Sequence, residues 1–306
     1  MIDARQPDNE HRAEPDGRTN PLVSIVIPHY NDLENLDVCL DLLLGQSFER
    51  GKFEIVVADN RSPVGLDAVR EVVGWRGRVV PAEIQGAGLA RNSGVAASRG
   101  TILAFIDSDC RPNPSWLAEG IAALDRYDVA GGAILVSVAD PVNMTPTEAF
   151  EVVFAFRNDA YVRSKHFTVT ASMFTRRATF DAVGAFRTEV SEDIEWCERA
   201  QAKGFSLGYA ERSVVLHPAR REWSDLKSKW RRLTRETYLL SRERGISRLL
   251  WLGRAWLVLI SIIPHAFVIM TSKSLPRAED RLRATAILAR IRAFRWFEAH
   301  RLVFSG

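Results

Sequence analysis

The sequence predicts an α/β fold with a mixed, mainly parallel sheet flanked by helices, followed by a C-terminal helical appendage. Three observations carry this expectation. Short β-branched runs alternate with helical stretches between Leu22 and Ile106, the rhythm of βαβ units. The runs are continuously apolar, as in parallel strands covered on both faces. The residues just after each run are polar or acidic, and in open α/β sheets ligands sit beyond the carboxyl ends of the strands.

The elements follow in order. Met1 to Asn20 is polar, rich in Asp, Arg, Asn and Pro, and lacks the apolar stretch of a secretory signal; residues 1–20 are expected to be a disordered leader. Val23-Ser24-Ile25-Val26-Ile27 reads as a strand, Asn35 to Leu44 as a helix and Phe53-Glu54-Ile55-Val56-Val57-Ala58 as a second strand. A third strand is expected near Arg78 to Glu83. Gly86-Ala87-Gly88 then opens a helix through Ala97, and Thr101 to Ile106 forms a fourth strand. After Asp140 the rhythm changes, with Pro141, Pro146 and a weakly periodic segment from Phe150 to Phe180. A basic helix is expected from Ser224 to Gly245, then an apolar run, then Arg277 to Leu302 with arginine at seven positions.

Composition sets bounds. A chain of 306 residues with 46% hydrophobic content can bury a substantial core. The net charge of +3 is small, but arginines crowd the region after Arg212, which points to an anionic surface near the C-terminus and not to nucleic acid. Cys39, Cys110 and Cys197 are widely spaced and odd in number, so they offer neither a disulfide framework nor a zinc site, and a reducing cytosol is the expected setting.

Each strand end contributes chemistry: Pro28-His29-Tyr30-Asn31, then Asp59-Asn60, then Asp107-Ser108-Asp109. Carboxylates gathered around a pyrophosphate would repel it unless a hard divalent cation screened both. Asp107-Ser108-Asp109 therefore implies a metal, Mg or Mn. Of the two, Asp109 is expected to be the direct ligand and Asp107 the acceptor for a ribose hydroxyl. An isolated Asp-x-Asp more often makes a turn; here its weight comes from the company it keeps. Arg91, on the helix after the Gly-rich turn, is always charged and can fork onto phosphate or base oxygens. Gly86 and Gly88 lack the dinucleotide spacing and read as a turn, so no nicotinamide cofactor is expected. Ser191 with Glu195 reads as a capped helix start.

Five pieces in order give a resemblance: Val23 to Pro28 with Tyr30-Asn31, Glu54 to Asn60, Gly88-Leu89-Ala90-Arg91-Asn92-Ser93-Gly94, Phe105 to Asp109, and Ser191-Glu192-Asp193-Ile194-Glu195-Trp196. Together they span roughly Pro21 to Pro218, and over that span the chain resembles family 2 of the GT-A-fold glycosyltransferases. Ala58 and Cys110 depart mildly from the family pattern. The resemblance implies a catalytic domain at 21–222, divided into a nucleotide-sugar half (21–140) and an acceptor half (141–222), with basic and apolar helices at 223–306. It implies that Asp59 accepts a hydrogen bond from a uracil or guanine base, that Pro28 and Tyr30 wall the nucleoside, and that Arg91 approaches the nucleotide. By the same resemblance Asp193 is the base that deprotonates the acceptor, Glu192 orients it, and His217 is a further metal ligand. Without a clear Gln-x-x-Arg-Trp signature, single-sugar transfer with inversion is expected, from a UDP-sugar to a glycan or lipid-linked acceptor in polysaccharide or envelope glycan synthesis. The alternative is a membrane-associated scaffold retaining an inactive transferase domain; a nucleotidyltransferase finds no triphosphate loop after the first strand.

Leu249 to Met270 is the long apolar run, interrupted at Pro264. It reads as a spanning helix, a re-entrant hairpin broken at Pro264, an interfacial helix or a core helix. A single crossing would put the arginine-rich tail on the far side, against the positive-inside tendency. Arginines on both flanks, with Trp251, Trp256 and Trp296, fit monotopic attachment to the inner face of the cytoplasmic membrane.

Overall fold

The computed structural model describes residues 21–304; the leader expected at 1–20 lies outside them. The chain runs β1 (Val23–His29), α1 (Leu33–Leu44), β2 (Phe53–Asp59), α2 (Leu66–Val73), β3 (Arg78–Pro81), α3 (Ala87–Ala97), β4 (Ile102–Ile106), β5 (Arg111–Pro112) and α4 (Trp116–Ala123). It continues through β6 (Val129–Ser137), α5 (Pro146–Phe154), α6 (Asn158–Lys165), β7 (Ser172–Arg176), α7 (Arg177–Val183), α8 (Glu192–Ala202) and β8 (Leu207–Pro218). Four helices follow: α9 (Trp223–Glu243), α10 (Arg248–Ile260), α11 (Ile262–Thr271) and α12 (Ala278–Phe304).

The strands form one mixed sheet in the order β3-β2-β1-β4-β7-β6-β8-β5. β1 pairs in parallel with β2 and β4, and β7 runs antiparallel to both β4 and β6. In β1 every residue except Pro28 is buried, because helices cover both faces. Ile25 and Ile27 join one core with Leu36 and Leu40 of α1 and Trp116 of α4, while Val26 joins a second with Phe180 of α7 and Trp196 of α8.

Helix α3 lies unusually close to the sheet. A Cβ on Gly94 would stand 2.6 Å from Val26 Cγ1, and a Cβ on Gly88 would stand 3.2 Å from Phe186 Cβ. Asn92 completes the grip: its Nδ2 donates to Phe186 O at 2.8 Å and its Oδ1 accepts from Phe186 N–H at 2.9 Å. The Gly88-to-Gly94 segment is thus a spacer of fixed thickness between β1 and the chain leading into α8.

The C-terminal helices share a core with α5, where Phe150 packs with Leu226 of α9, Ile269 of α11 and Leu288 of α12. The apolar run does not break at Pro264. Pro264 sits in the first turn of α11, where its missing N–H leaves no helical bond unmade, and the irregularity falls at Ser261. From Arg248 to Thr271 the chain is long and apolar enough to cross a membrane by length and composition, and only 11% of its most apolar window is buried within this chain.

Gly94→Leu forces α3 away from Val26, and overpacking of this kind costs about 1–3 kcal/mol. The expected outcome is a thermal midpoint several degrees lower, on the order of 2–4 °C per kcal/mol, with Gly253→Leu, where a Cβ meets nothing within 4 Å, as the control.

Candidate active site

The carboxyl ends of β1, β2 and β4 open into a cavity of about 750 Å³, which α8, β8 and the helices α9, α10 and α12 close from the other side. Pro28, Tyr30, Arg91, Asp107, Asp109, Glu192, Asp193 and His217 all face it. Asp59 does not. It is 4% exposed and lies beneath the surface, with Oδ1 3.4 Å from His29 Nδ1 and Oδ2 accepting from the Ser62 N–H at 3.1 Å. His29 Nε2 accepts from the Asp32 N–H at 3.1 Å, which leaves the ring proton on Nδ1, facing Asp59. The neighbour Asn60 faces the cavity instead, its Oδ1 accepting from the Gly86 N–H at 2.6 Å.

Arg91 is buried and spans two elements. Its Nη2 donates to Asp107 Oδ1 at 2.6 Å and its Nη1 to Glu192 Oε1 at 3.2 Å. Burial works against the charge of this guanidinium, but Asp107, Glu192 and Asp193 outweigh it and hold it above its ordinary value. Arg91 therefore ties the end of β4 to the start of α8.

The two aspartates of Asp107-Ser108-Asp109 part company, as residues two apart leaving a strand do when the chain turns. Asp107 faces Arg91; Asp109 Oδ2 lies 3.3 Å from His217 Nε2. His217 Nδ1 lies 2.9 Å from Pro218 O, and since a carbonyl only accepts, Nδ1 carries the proton and donates it. Nε2 is then left with its lone pair toward a carboxylate oxygen. Two acceptors facing each other at this distance need a proton or a cation between them, and a His whose other nitrogen donates to a carbonyl is oriented as metal-binding histidines are. Cys110 offers a third donor atom within 4.8 Å of the others, but burial and the charges of Asp107 and Asp109 push its thiol well up, and it remains protonated. Burial also raises Asp109, with His217 and Arg220 opposing and Asp107 adding to the shift. Oxygen and imidazole ligands fit a hard or borderline divalent ion.

Asp193 sits in the first turn of α8. Its Oδ1 accepts from the Thr170 N–H at 3.2 Å. Burial, reinforced by the charge of Glu192, raises its carboxyl to about 7, against the pull of Arg91 and Thr170. Ser191 occupies the N-cap position, but the expected cap is not made by its side chain; the acids at the helix start carry that end electrostatically while turned to Arg91 and Thr170.

Glu151, Phe156 and Glu236 of this cavity escaped the sequence. Glu151 of α5 is buried and lies 3.0 Å from Arg220 Nη1 and 3.3 Å from Lys229 Nζ. Burial, with Arg220 nearby, pulls the Lys229 ammonium down to about 8, against Glu151. Phe156, in the left-handed region at φ 51°, stacks on His217 with ring centroids 4.3 Å apart and carries Lys229 Nζ 4.9 Å above its face. Glu236 of α9, raised to about 7 chiefly by burial, also lines the wall. Helical spacing marks buried positions only where apolar residues occupy them, and Glu151 and Glu236 are acids, while Phe156 lies between α5 and α6.

Comparison with known proteins then gives a consistent picture. The family model described as glycosyl transferase family 2 matches residues 24–184. The glycosyltransferase AglE of Haloferax volcanii is 31% identical over 221 residues, covering 70% of this chain and 72% of AglE. The succinoglycan biosynthesis protein ExoO of Rhizobium meliloti is 32% identical over 126 residues, covering 40% of this chain and 35% of ExoO. Among solved structures, the mannosyltransferase PcManGT from Pyrobaculum calidifontis, in complex with GDP-Man and Mn2+, superposes with a TM-score of 0.60 at 16% identity. That match covers 94% of this chain and 88% of PcManGT, a coverage that residues 21–222 alone cannot supply, so the likeness in fold takes in the C-terminal helices.

Removing one partner of a buried ion pair costs about 3–5 kcal/mol because it strands the other charge. Arg91→Met strands two, Asp107 and Glu192. The expected outcome is a loss of folding stability at the upper end of that range in denaturant titration, with most of it recovered when Asp107→Asn and Glu192→Gln are added.

Proposed function

The chain belongs to glycosyl transferase family 2, and on that premise we propose that this GT-A-fold glycosyltransferase moves one sugar, with inversion, from a nucleoside diphosphate sugar to an acceptor hydroxyl. The observation that carries the proposal is Asp193: a buried carboxyl held near neutral pH, in the same cavity as Asp107, Asp109 and Arg91. A general base works best when its pKa lies near the working pH, and Asp193 is on a rigid helix start, oriented by a backbone N–H.

In this reading Asp193 takes the proton of the acceptor hydroxyl as it attacks the donor sugar. Glu192 keeps the Asp193 pKa up and, through Arg91, fixes α8 against the donor strand. Pro28, Tyr30 and Asn60 wall the nucleoside, and Asp59 supports that wall from beneath through its bonds to His29 and Ser62. Asp107 receives the ribose side of the donor. A divalent cation, Mg or Mn, is proposed at Asp109 and His217; when bound it supplies the positive charge that stabilises the departing diphosphate. The donor proposed is a UDP-sugar, with a GDP-sugar, as in the PcManGT complex, the comparison to run beside it.

The proposed setting is the inner face of the cytoplasmic membrane, in glycan or polysaccharide assembly. Leu249, Leu257, Ile263 and Phe267 of α10 and α11 are exposed, and an apolar face of that extent flanked by arginines suits an interfacial helix. Val258 and Ala255 of the same helix line the cavity, so an acceptor held in the membrane plane would reach Asp193 without leaving it.

In an assay with donor, acceptor and Mn, Asp193→Asn is expected to lower transfer by about 10²–10⁴-fold while donor affinity in calorimetry stays nearly unchanged; full activity would refute the assignment. Because the base must be ionised, kcat/KM in the wild type rises with pH below about 7 and levels off above it. The inactive-scaffold alternative predicts neither turnover nor metal-dependent donor hydrolysis. For the cation site, His217→Ala is expected to weaken Mn binding by about tenfold or more, read by Mn electron paramagnetic resonance as well as by the Mn dependence of activity.

A further inference from the structure

The link between α5 and α6 holds a residue in a conformation its side chain disfavours. α5 ends at Phe154 and α6 begins at Asn158, and the reversal between them places Phe156 in the left-handed region at φ 51°. There the Cβ of an L residue crowds the following carbonyl oxygen, which is unfavourable for any side chain and rare for a bulky one. A glycine would make the same reversal without that strain. Strain of this kind gathers at functional sites, so a phenylalanine held in such a backbone points to a task for its ring.

Phe156 lines the cavity at the edge of the main core. Its ring centroid lies 4.3 Å from that of the His217 imidazole, with the two planes 36° apart. The imidazole donates from Nδ1 to Pro218 O at 2.9 Å, an acceptor on the adjoining residue. One hydrogen bond fixes a point on a ring and leaves the ring free to swing about that bond. The Phe156 face removes this freedom, and Nε2 is left 3.3 Å from Asp109 Oδ2. The Phe156 ring is itself held, because Lys229 Nζ lies 4.9 Å from its centre and is tied to Glu151 at 3.3 Å. A cation over an aromatic face is attracted by the ring quadrupole. Glu151, Lys229, Phe156 and His217 thus form one series of contacts from a buried carboxylate of α5 to the imidazole.

We infer that Phe156 is a positioning residue for the cation site: its ring fixes the plane of the His217 imidazole, so that Nε2 and the Asp109 carboxylate meet a divalent cation without rearranging. A ligand group oriented before binding loses less freedom when the ion arrives, and the affinity rises accordingly. Histidine ligands are commonly oriented through a hydrogen bond at the second ring nitrogen; here an aromatic face adds the rotation that this bond leaves open. The inference rests on the cation proposed at Asp109 and His217. It deepens that reading by naming a residue outside the ligand set on which the affinity depends.

The test titrates the full chain, in neutral detergent, with manganese chloride alone and with UDP present, reading free Mn by electron paramagnetic resonance. Phe156→Leu keeps an apolar side chain and removes the aromatic face, Phe156→Gly removes the ring and relieves the backbone, and Phe156→Tyr keeps the face. Phe156→Leu and Phe156→Gly are each expected to weaken Mn binding by about three- to tenfold, the worth of an aromatic pair beyond plain burial. Phe156→Tyr should stay within about twofold of wild type. In the His217→Ala background, where no imidazole remains to be oriented, Phe156→Leu should cause no further loss. A ring that served the core alone, or that acted by holding the Lys229 charge in place, would cost both backgrounds equally. Thermal midpoints taken without metal separate binding from folding; should Phe156→Leu fail to fold, Phe156→Gly takes its place in both backgrounds, since its backbone is the less strained. Mn affinity unchanged in the variants that lack the ring, or the same loss with and without His217, overturns the proposal. Failure of wild type to bind Mn in either condition, or unchanged binding in His217→Ala, overturns the cation reading and this inference with it, and shows in titrations that contain no Phe156 variant.

Discussion

The interaction on which the site depends is the fork of Arg91 between Asp107 and Glu192. One carboxylate belongs to the end of β4 and the other to the start of α8, elements separated by more than eighty residues of chain. Phe105 of β4 and Trp196 of α8 share a core through Phe186, and the buried guanidinium adds the two polar bonds that join the carboxylates themselves. The close approach of α3 to β1 at Gly94, the tight passage at Gly88 and the Asn92 bonds to Phe186 all set the depth from which Arg91 reaches. A buried ion pair is weak evidence for stability, because desolvation consumes most of its Coulombic gain. Its contribution here is to position, and through Glu192 it also sets the charge that Asp193 meets.

Much of the fold was legible because its signals are local. The apolar runs of β1, β2 and β4 bound strands within two or three residues of their observed limits, and the acids that follow them fall at strand ends by the geometry of any parallel sheet. Asp107 and Asp109 separate to different partners because the chain turns after Ile106, where the two-residue period of a strand would have kept them on one side. The same rule was not carried to Asp59 and Asn60, where one must turn inward; which one does is decided by His29 and Ser62, residues brought there by folding. The segment from Phe150 to Phe180 looked aperiodic because the buried faces of α5 and α6 carry Glu151 and Asn158 where apolar residues would betray a helix. Thr145 and Glu148 form a capping box there, a local signal that was available in the sequence. Arg91 was legible as a charged residue near the nucleotide, but its two partners are tertiary facts.

The arginine-rich C-terminus shows why total charge says little. Many of its arginines are satisfied by nearby acids: Glu298 by Arg231 and Arg301, Asp280 by Arg277, Glu236 by Arg232. Among the described residues Arg242, Arg248, Lys273 and Arg290 are exposed without an acidic partner. Arg254 and Arg295 stand at the cavity, likewise without one. In the sequence the arginines of 277–302 are indistinguishable, whereas in the fold Arg301 is neutralised and Arg295 is not.

These two features divide the cavity electrostatically. Around Asp193 the burial of carboxylates near one another holds a proton affinity close to neutrality, and Arg91 keeps that repulsion from growing until the site comes apart. Around Arg295 the like charges are positive and no acid moderates them. A donor diphosphate entering this cavity would meet cations and, in the same space, a carboxylate base. Only the hydroxyl to be deprotonated can sit beside Asp193 without an opposing charge.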